Sequence, residues 1–135
     1  MLKSIILMIF LVLLVGCAST DKTPLSADSF NMTSKDPSYG FTEKNPIELG
    51  GFLRGTKYEG AHFEYFNSLQ GPNGEQVQVK RLGSCCSFED ASMPFGGGLL
   101  DMYELTYSGI SQPTVIYVNL YKFVKPMAPI GFALQ

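Results

Sequence analysis

Tryptophan is absent from this sequence, histidine occurs once, and only three of the 135 residues are cysteine. A structural zinc site takes four ligands, so this small supply of histidine and cysteine supports such a site poorly. One imidazole would have to serve any catalytic triad, and no Gly-x-Ser-x-Gly motif is present. The 10 basic side chains are fewer than the 12 acidic ones and form no cluster. Without a basic patch to neutralise phosphates, we expect no nucleic-acid partner.

The first seventeen residues contain a short apolar run between a basic residue and a cysteine. Residues 5–15 follow Lys3 and are all apolar, an order typical of a secretory signal, and the run is shorter than the roughly twenty residues that span a bilayer. It ends in Leu14-Val15-Gly16-Cys17, which resembles the lipobox of bacterial lipoproteins. The alternatives are an uncleaved amphiphilic helix and an ordinary signal peptide with an incidental cysteine. We predict that residues 1–16 are a lipoprotein signal peptide.

The resemblance to bacterial lipoproteins implies diacylglycerol on Cys17 and an acyl chain on the new amino terminus. About three chains bind a membrane far more firmly than a single myristoyl group does. Ala18, rather than Asp, follows the cysteine, which favours the outer membrane, facing the periplasm, in hosts that sort as enterobacteria do. The lipid on Cys17 is the only covalent group we expect; no other cofactor and no metal are predicted.

The rest of the chain divides by composition into a linker and one domain. Residues 17–38 are rich in Ser, Thr, Asp and Lys, which is typical of a flexible linker. Its root-mean-square reach is on the order of 25 Å. Residues 39–135 are enough for one small core, and the chain's 10 Phe and 7 Tyr supply large apolar areas for it.

Hydrophobic periodicity predicts the elements of this domain. A Thr56-to-Glu59 capping box opens a helical stripe formed by Tyr58, Ala61, His62, Tyr65, Phe66 and Leu69. Strands are predicted at residues 46–53 and 77–82, and the strongest at 99–107 and 114–123. The last of these is apolar on both faces and should be central, whereas residues 83–98 are predicted to form a long loop. The fold class is therefore α+β, a small antiparallel sheet of about four strands with one packed helix.

Adjacent cysteines at positions 85 and 86 are the most unusual feature of the domain. In an oxidising compartment free exposed thiols are hard to maintain. Neighbouring residues form a disulfide only as a strained ring, because a trans peptide holds their Cα atoms about 3.8 Å apart. The pair is interpreted either as a vicinal disulfide with a redox or ligand-stacking role, or as two thiols packed as small apolar groups. Lipidation of Cys17 leaves no third cysteine to pair with.

The predicted long loop and the single histidine are the other candidates for a binding surface. Long loops in compact domains are often functional, so residues 85–95, including Phe88 and Phe95, are predicted to line a ligand or partner surface. His62 falls on the apolar stripe of the helix, where a histidine is either a packed, hydrogen-bonded core residue or a ligand-binding one. No catalytic residue is predicted.

Three segments resemble a family of small uncharacterised bacterial lipoproteins: residues 39–47, Arg81-Leu82-Gly83-Ser84-Cys85-Cys86-Ser87-Phe88, and Gly97-Gly98-Leu99-Leu100-Asp101. The resemblance covers nearly the whole exported domain and makes the Gly-Ser-Cys-Cys motif part of a pattern. Some members carry the label of a 2-dehydro-3-deoxyphosphooctonate aldolase, an enzyme that requires a barrel of about 250 residues. A domain of 97 residues is too short for that activity.

These observations favour a lipid-anchored protein of the bacterial envelope. We expect a non-catalytic binding or structural role with an envelope protein as partner. The alternatives are a periplasm-facing redox protein or enzyme that uses Cys85 and Cys86, and an immunity or inhibitor lipoprotein. A pocket around a perturbed cysteine or His62 would favour an enzyme, and an exposed apolar patch would favour a partner protein.

Overall fold

A computed structural model of the chain describes residues 32–135. Its elements are β1 (Ile47–Glu48), α1 (Ala61–Ser68), β2 (Leu69–Gln70), β3 (Gln78–Glu89), β4 (Gly97–Thr106), β5 (Thr114–Asn119) and β6 (Ala133–Leu134). Four strands form a sheet in the order β1-β5-β4-β3, and β2 pairs with β6. β1 runs parallel to β5, whereas β5, β4 and β3 are antiparallel neighbours. The predicted α+β class, with one helix and a small, mostly antiparallel sheet, is confirmed.

The core lies between one face of the sheet, α1 and the carboxyl-terminal segment. Tyr103 pairs with Ile116 across β4 and β5, and the Tyr103 ring lies 4.6 Å from the ring of Phe66 on the helix. Alternation along β4 places Leu105 on the same face as Tyr103. Leu105 and Ile116 are fully buried, and each such side chain contributes about 1.5–3 kcal/mol relative to leaving it exposed. The other buried apolar side chains include Ile47, Leu49, Tyr65, Leu69, Val118, Ala128, Phe132 and Leu134.

β5 is central in the sheet, as predicted, but it is covered on one face only. Ile116 and Val118 are fully buried, whereas Val115 on the opposite face is 37% exposed. The strand also ends at Asn119 rather than at residue 123. The side-chain oxygen of Asn119 accepts hydrogen bonds from the backbone N–H groups of Tyr121 and Lys122. This local turn ends the strand although apolar residues continue beyond it.

The predicted loop at residues 83–98 is wrong. β3 continues to Glu89 and β4 begins at Gly97, so the connection spans only residues 90–96. Two shifts of the strand register, between Arg81 and Gly83 and between Ser84 and Ser87, lie within β3. Each β-bulge inserts an extra residue, which breaks the two-residue period by which a strand is recognised. The irregular pattern of a bulged strand is therefore easily taken for that of a loop.

Helix α1 begins four residues later than the capping-box pattern predicts: the residue before the helix is Gly60, not Thr56. Gly60 adopts a φ of 78°, in the left-handed region, and precedes the first helical residue. The Thr56 hydroxyl donates to the carbonyl of Leu53, and Glu59 accepts from the backbone N–H of Gly55. These two side chains therefore stabilise a turn before the helix. The predicted strand at residues 46–53 is likewise reduced to β1.

The folded domain begins before residue 39, the boundary predicted from composition. The backbone N–H of Ser34 donates to the carbonyl of Ala128, and the N–H of Ala128 donates to the carbonyl of Met32. Met32 packs against the core, and Ser34 is buried. Residues 32–38 are thus part of the domain, held by backbone hydrogen bonds to the carboxyl-terminal segment around Ala128.

Candidate functional site

A buried carboxylate on β4 collects three hydrogen bonds from β3. Arg81 donates from Nε to Asp101 Oδ2 at 2.7 Å and from Nη2 to Oδ1 at 3.0 Å, and the Ser84 hydroxyl donates to Oδ1 at 2.7 Å. Residues three apart in a regular strand point to opposite faces. The bulge between Arg81 and Gly83 removes that difference, because the extra residue brings Ser84 opposite Asp101 in the register. The bulge therefore builds the site.

The electrostatics of this cluster hold Asp101 in its ionised form. Burial raises the pKa of Asp101, but hydrogen bonds from Arg81 and Ser84 and the charge of Arg81 outweigh it, so the net pKa lies below its ordinary value. Hydrogen bonding to Asp101 and its charge raise the pKa of Arg81. The Arg81 side chain is 53% exposed and that of Asp101 only 9%. The pair is thus a bidentate ion pair with one end in solvent.

His62 lies on α1 beside this cluster, and the backbone of Gly51 packs closely against its ring. Its Nδ1 is buried and has no hydrogen-bond partner among residues 32–135. Gly51, whose φ is 94°, comes so close that a Cβ there would collide with Nδ1. Burial lowers the pKa of His62, and the charge of Asp101 acts in the opposite direction. The neutral imidazole therefore predominates at pH 7, and the ion pair that Asp101 forms within residues 32–135 is with Arg81.

These residues form the floor of an open groove of about 460 Å³ with aromatic walls. Phe52 and Phe63 are 58% and 64% exposed. Both rings line the same groove, and exposed apolar side chains that converge on one concave surface are typical of a binding site. The groove is lined by Phe52, His62, Phe63, Phe66, Val79, Arg81, Asp101, Tyr103 and Leu120.

Cys85 and Cys86 form a disulfide bond in the second bulge of β3. Their Cα atoms are 3.8 Å apart, and both residues are half-buried. They stand opposite Leu100, between the pairs Ser84–Asp101 and Ser87–Leu99. The interpretation as two separate thiols packed in a loop is therefore wrong in both respects: the cysteines are cross-linked and lie in a strand. A redox role stays a prediction.

The predicted ligand surface does not come together as one site. Phe88 pairs with Gly98, which alternation places on the opposite face of β4 from Asp101, and its ring lies 5.9 Å from that of Tyr121. Phe95 is 97% exposed in the connection between β3 and β4. Only His62 of the predicted surface lines the groove. The lipidation site Cys17 lies outside the described residues.

Sequence reasoning missed the Arg81–Ser84–Asp101 cluster, although one signal for it was present. Arg81 falls on the same parity as Val77 and Val79, the inward-facing residues of the predicted strand. A charge on an apolar face requires a partner, which here is Asp101. Ser84 carried no such signal, because its orientation depends on the bulge.

A second cavity of about 470 Å³ lies on the other side of α1, between Met32, Tyr65 and Phe123. Its walls include the stacked rings of Tyr58 and Phe123, 4.0 Å apart, but no charged pair comparable to Arg81 and Asp101. In residues 32–135, no three His, Cys, Asp or Glu side chains are placed to hold a metal ion. That part of the chain also has no helix with the length and apolar content needed to cross a membrane.

No family model matches the chain, and the comparisons with curated proteins and with solved structures found no match. The chemistry of the groove therefore has to be argued from its own residues.

Proposed function

We propose that this chain is a lipid-anchored protein of the bacterial envelope whose domain binds an envelope protein through the Phe52–Phe63 groove. The lipobox at Leu14-Val15-Gly16-Cys17 supports the anchor, because the motif stands directly after an apolar run of signal length. With Ala18 after the cysteine, we place the protein on the outer membrane, facing the periplasm. The groove supports binding, since its two most exposed rings offer an apolar surface to a partner side chain.

The hydrogen bonds that Asp101 accepts at the floor of the groove favour a binding role over a catalytic one. A general base needs a pKa near the working pH and a free lone pair aimed at the reacting proton. Asp101 has a lowered pKa, and both of its oxygens already accept hydrogen bonds from Arg81 or Ser84, so it is a weak base. The Nδ1 atom of His62 is buried against Gly51 and makes no hydrogen bond within residues 32–135. The polar floor is thus suited to fixing the orientation of a partner.

Affinity capture from detergent-solubilised envelopes tests the binding proposal. The lipidated protein is compared with a Phe52→Ser/Phe63→Ser variant and with Phe95→Ser, a matched control whose ring is exposed outside the groove. We expect one partner protein to be recovered by the wild type and the control and lost with the groove variant. Equal recovery by all three proteins, or recovery of lipid alone, would contradict the proposal.

Metabolic labelling with a radioactive fatty acid tests the anchor separately. Wild-type protein should take up the label and sediment with outer membranes in a density gradient. Cys17→Ser should take up none, because the thioether to diacylglycerol cannot form. Labelling that persists in Cys17→Ser would place the lipid elsewhere and refute this assignment.

A further inference from the structure

The disulfide and the groove are connected by a single residue of β3. Ser84 precedes Cys85 and sits between the two bulges, so its position is fixed by the first bulge on one side and by the cross-linked pair on the other. From that position its hydroxyl donates to Asp101 at 2.7 Å and accepts from Arg81 Nη2 at 3.0 Å. A change in the backbone conformation of Cys85 would therefore shift Ser84 and alter its hydrogen bonds to both Arg81 and Asp101.

The disulfide is also placed where a second molecule reaches it. β3 is the edge strand of the four-stranded sheet, and no other strand of the described residues pairs with its outer side. Both cysteines are half-buried rather than enclosed in the core. The peptide between them is trans, and a Cα separation of 3.8 Å is below the usual 4.4–6.8 Å range for disulfides. Disulfides with such a constrained geometry are more easily reduced than unstrained disulfides, and labile and regulatory disulfides are typically of this kind.

We propose that Cys85–Cys86 is a thiol–disulfide exchange site whose substrate is a dithiol of the envelope, and that its redox state controls the hydrogen bond from Ser84 to Asp101. This goes beyond the proposed function and does not depend on the groove having a partner.

The exchange proceeds in two balanced steps. A thiolate of the dithiol attacks one sulfur of the pair, a mixed disulfide forms, the Cys85–Cys86 bond breaks, and the leaving thiolate takes up a proton. The second thiol of the dithiol then loses its proton and attacks the mixed disulfide, so that the other cysteine leaves and is protonated. The dithiol is oxidised to a disulfide by two electrons, and Cys85 and Cys86 are reduced to two thiols. Freed of the ring, residues 85 and 86 regain independent backbone torsions, and Ser84 loses one of its two constraints.

The exchange is tested on the full lipidated protein in detergent, without denaturant. Dithiothreitol serves as the dithiol. Samples are quenched with acid and alkylated, and the mass of the intact protein is measured by mass spectrometry. We expect no alkylation before reduction and two alkyl groups after it. The rate constant should exceed that of oxidised glutathione under the same conditions, on the order of tenfold, because ring strain favours the opening step. Two alkylated thiols before any reductant, or a rate equal to or below that of oxidised glutathione, would overturn the proposal.

The effect on the groove is measured by carbon-13 NMR titration of the Asp101 carboxyl in both redox states. We expect reduction to raise the pKa of Asp101 by about half a unit to one unit, because a hydrogen bond to the charged form is lost. Ser84→Ala should raise the pKa similarly in the oxidised protein, and reduction should then add nothing. Ser87→Ala, on the other side of the disulfide, is the matched control and should leave the pKa unchanged. An identical pKa of Asp101 in oxidised and reduced wild-type protein would refute the connection to the groove.

Discussion

Replacing Arg81 with methionine should destabilise the domain more than the Asp101→Asn substitution, which neutralises the partner of Arg81. The change removes two charge-assisted hydrogen bonds to Asp101, whose residue is only 7% exposed. Bonds of this kind contribute about 1.5–3 kcal/mol each when fully formed. Because the Arg81 side chain is 53% exposed, screening by water reduces the pair's contribution, and we expect a total loss of about 2–3 kcal/mol at pH 7. Asp101→Asn should cost about 1 kcal/mol, since Arg81 then remains hydrated.

The pH dependence of this loss gives the sharper test. In the wild type the pKa of Asp101 is lowered, so its ion pair stabilises the fold above the unfolded pKa of about 3.9 and is lost as pH falls through the folded value. In Arg81→Met, the hydrogen bond from Ser84 is the main interaction left to oppose burial, so the pKa of Asp101 should rise. The variant then regains stability as pH falls and the buried carboxylate takes up a proton. The difference in unfolding free energy between the two proteins should therefore narrow as pH falls from 7 toward 4.

Urea unfolding followed by far-ultraviolet circular dichroism, repeated between pH 7 and pH 4, measures this difference. Asp101→Asn is the matched control, because it lacks the titrating carboxylate and should unfold with a gap to wild type that varies much less over that range. A loss in Arg81→Met that is independent of pH, or no larger than that in Asp101→Asn, would refute the assignment of Arg81 as the partner that keeps Asp101 charged.

Three further substitutions test the surroundings of the site and the core. Gly51→Ala should lower the free energy of unfolding by about 2–3 kcal/mol in thermal unfolding, because the new methyl group is strained at this φ and collides with His62. Gly109→Ala is the control: its φ is 96° but the space around it is open, so it should cost about 1 kcal/mol. Equal losses in the two variants would exclude the collision. Leu105→Ala should cost about 2–5 kcal/mol in urea, and a loss below 1 kcal/mol would contradict its burial. Asn119→Ala should lower the free energy of unfolding by about 1–2 kcal/mol in the same assay, because two hydrogen bonds to its side chain are lost. An unchanged stability would contradict a role of this turn.

The elements that sequence reasoning predicted well are those with a regular period. β4 and β5 are runs of Tyr, Val, Ile and Leu, and the structure places them as antiparallel neighbours within a few residues of the predicted bounds. Pattern reasoning predicted the centre of α1 because Ala61, Tyr65 and Phe66 recur at helical spacing. It was wrong about Leu69, which belongs to β2. The failures at the start of α1 and in β3 share one cause. At Gly60 and in the bulges of β3 a single residue changes the local geometry, and a periodic pattern contains no signal for it.

The candidate site depended more heavily on the fold. His62 was predicted on the helix, and the structure places it at the groove, but Phe88 and Phe95 were grouped with it only because a loop was expected between residues 83 and 98. A strand distributes its side chains over two faces, so that grouping fails once β3 is extended to Glu89. Phe52 and Phe63, the exposed rings of the groove, come from segments that are remote from β3 in sequence and meet only through packing of α1 on the sheet.

The sequence by itself determined the class of the domain, the presence of two strong strands and the pairing options of its cysteines, because each follows from local composition or from spacing along the chain. It also carries the whole case for the lipid anchor at Cys17. Only the tertiary structure decided that Arg81, Ser84 and Asp101 meet, since their contact requires a bulge that brings residues three apart to one face. The same bulged strand places the Cys85–Cys86 disulfide next to Ser84, because register between strands is a property of the paired sheet and not of either strand alone.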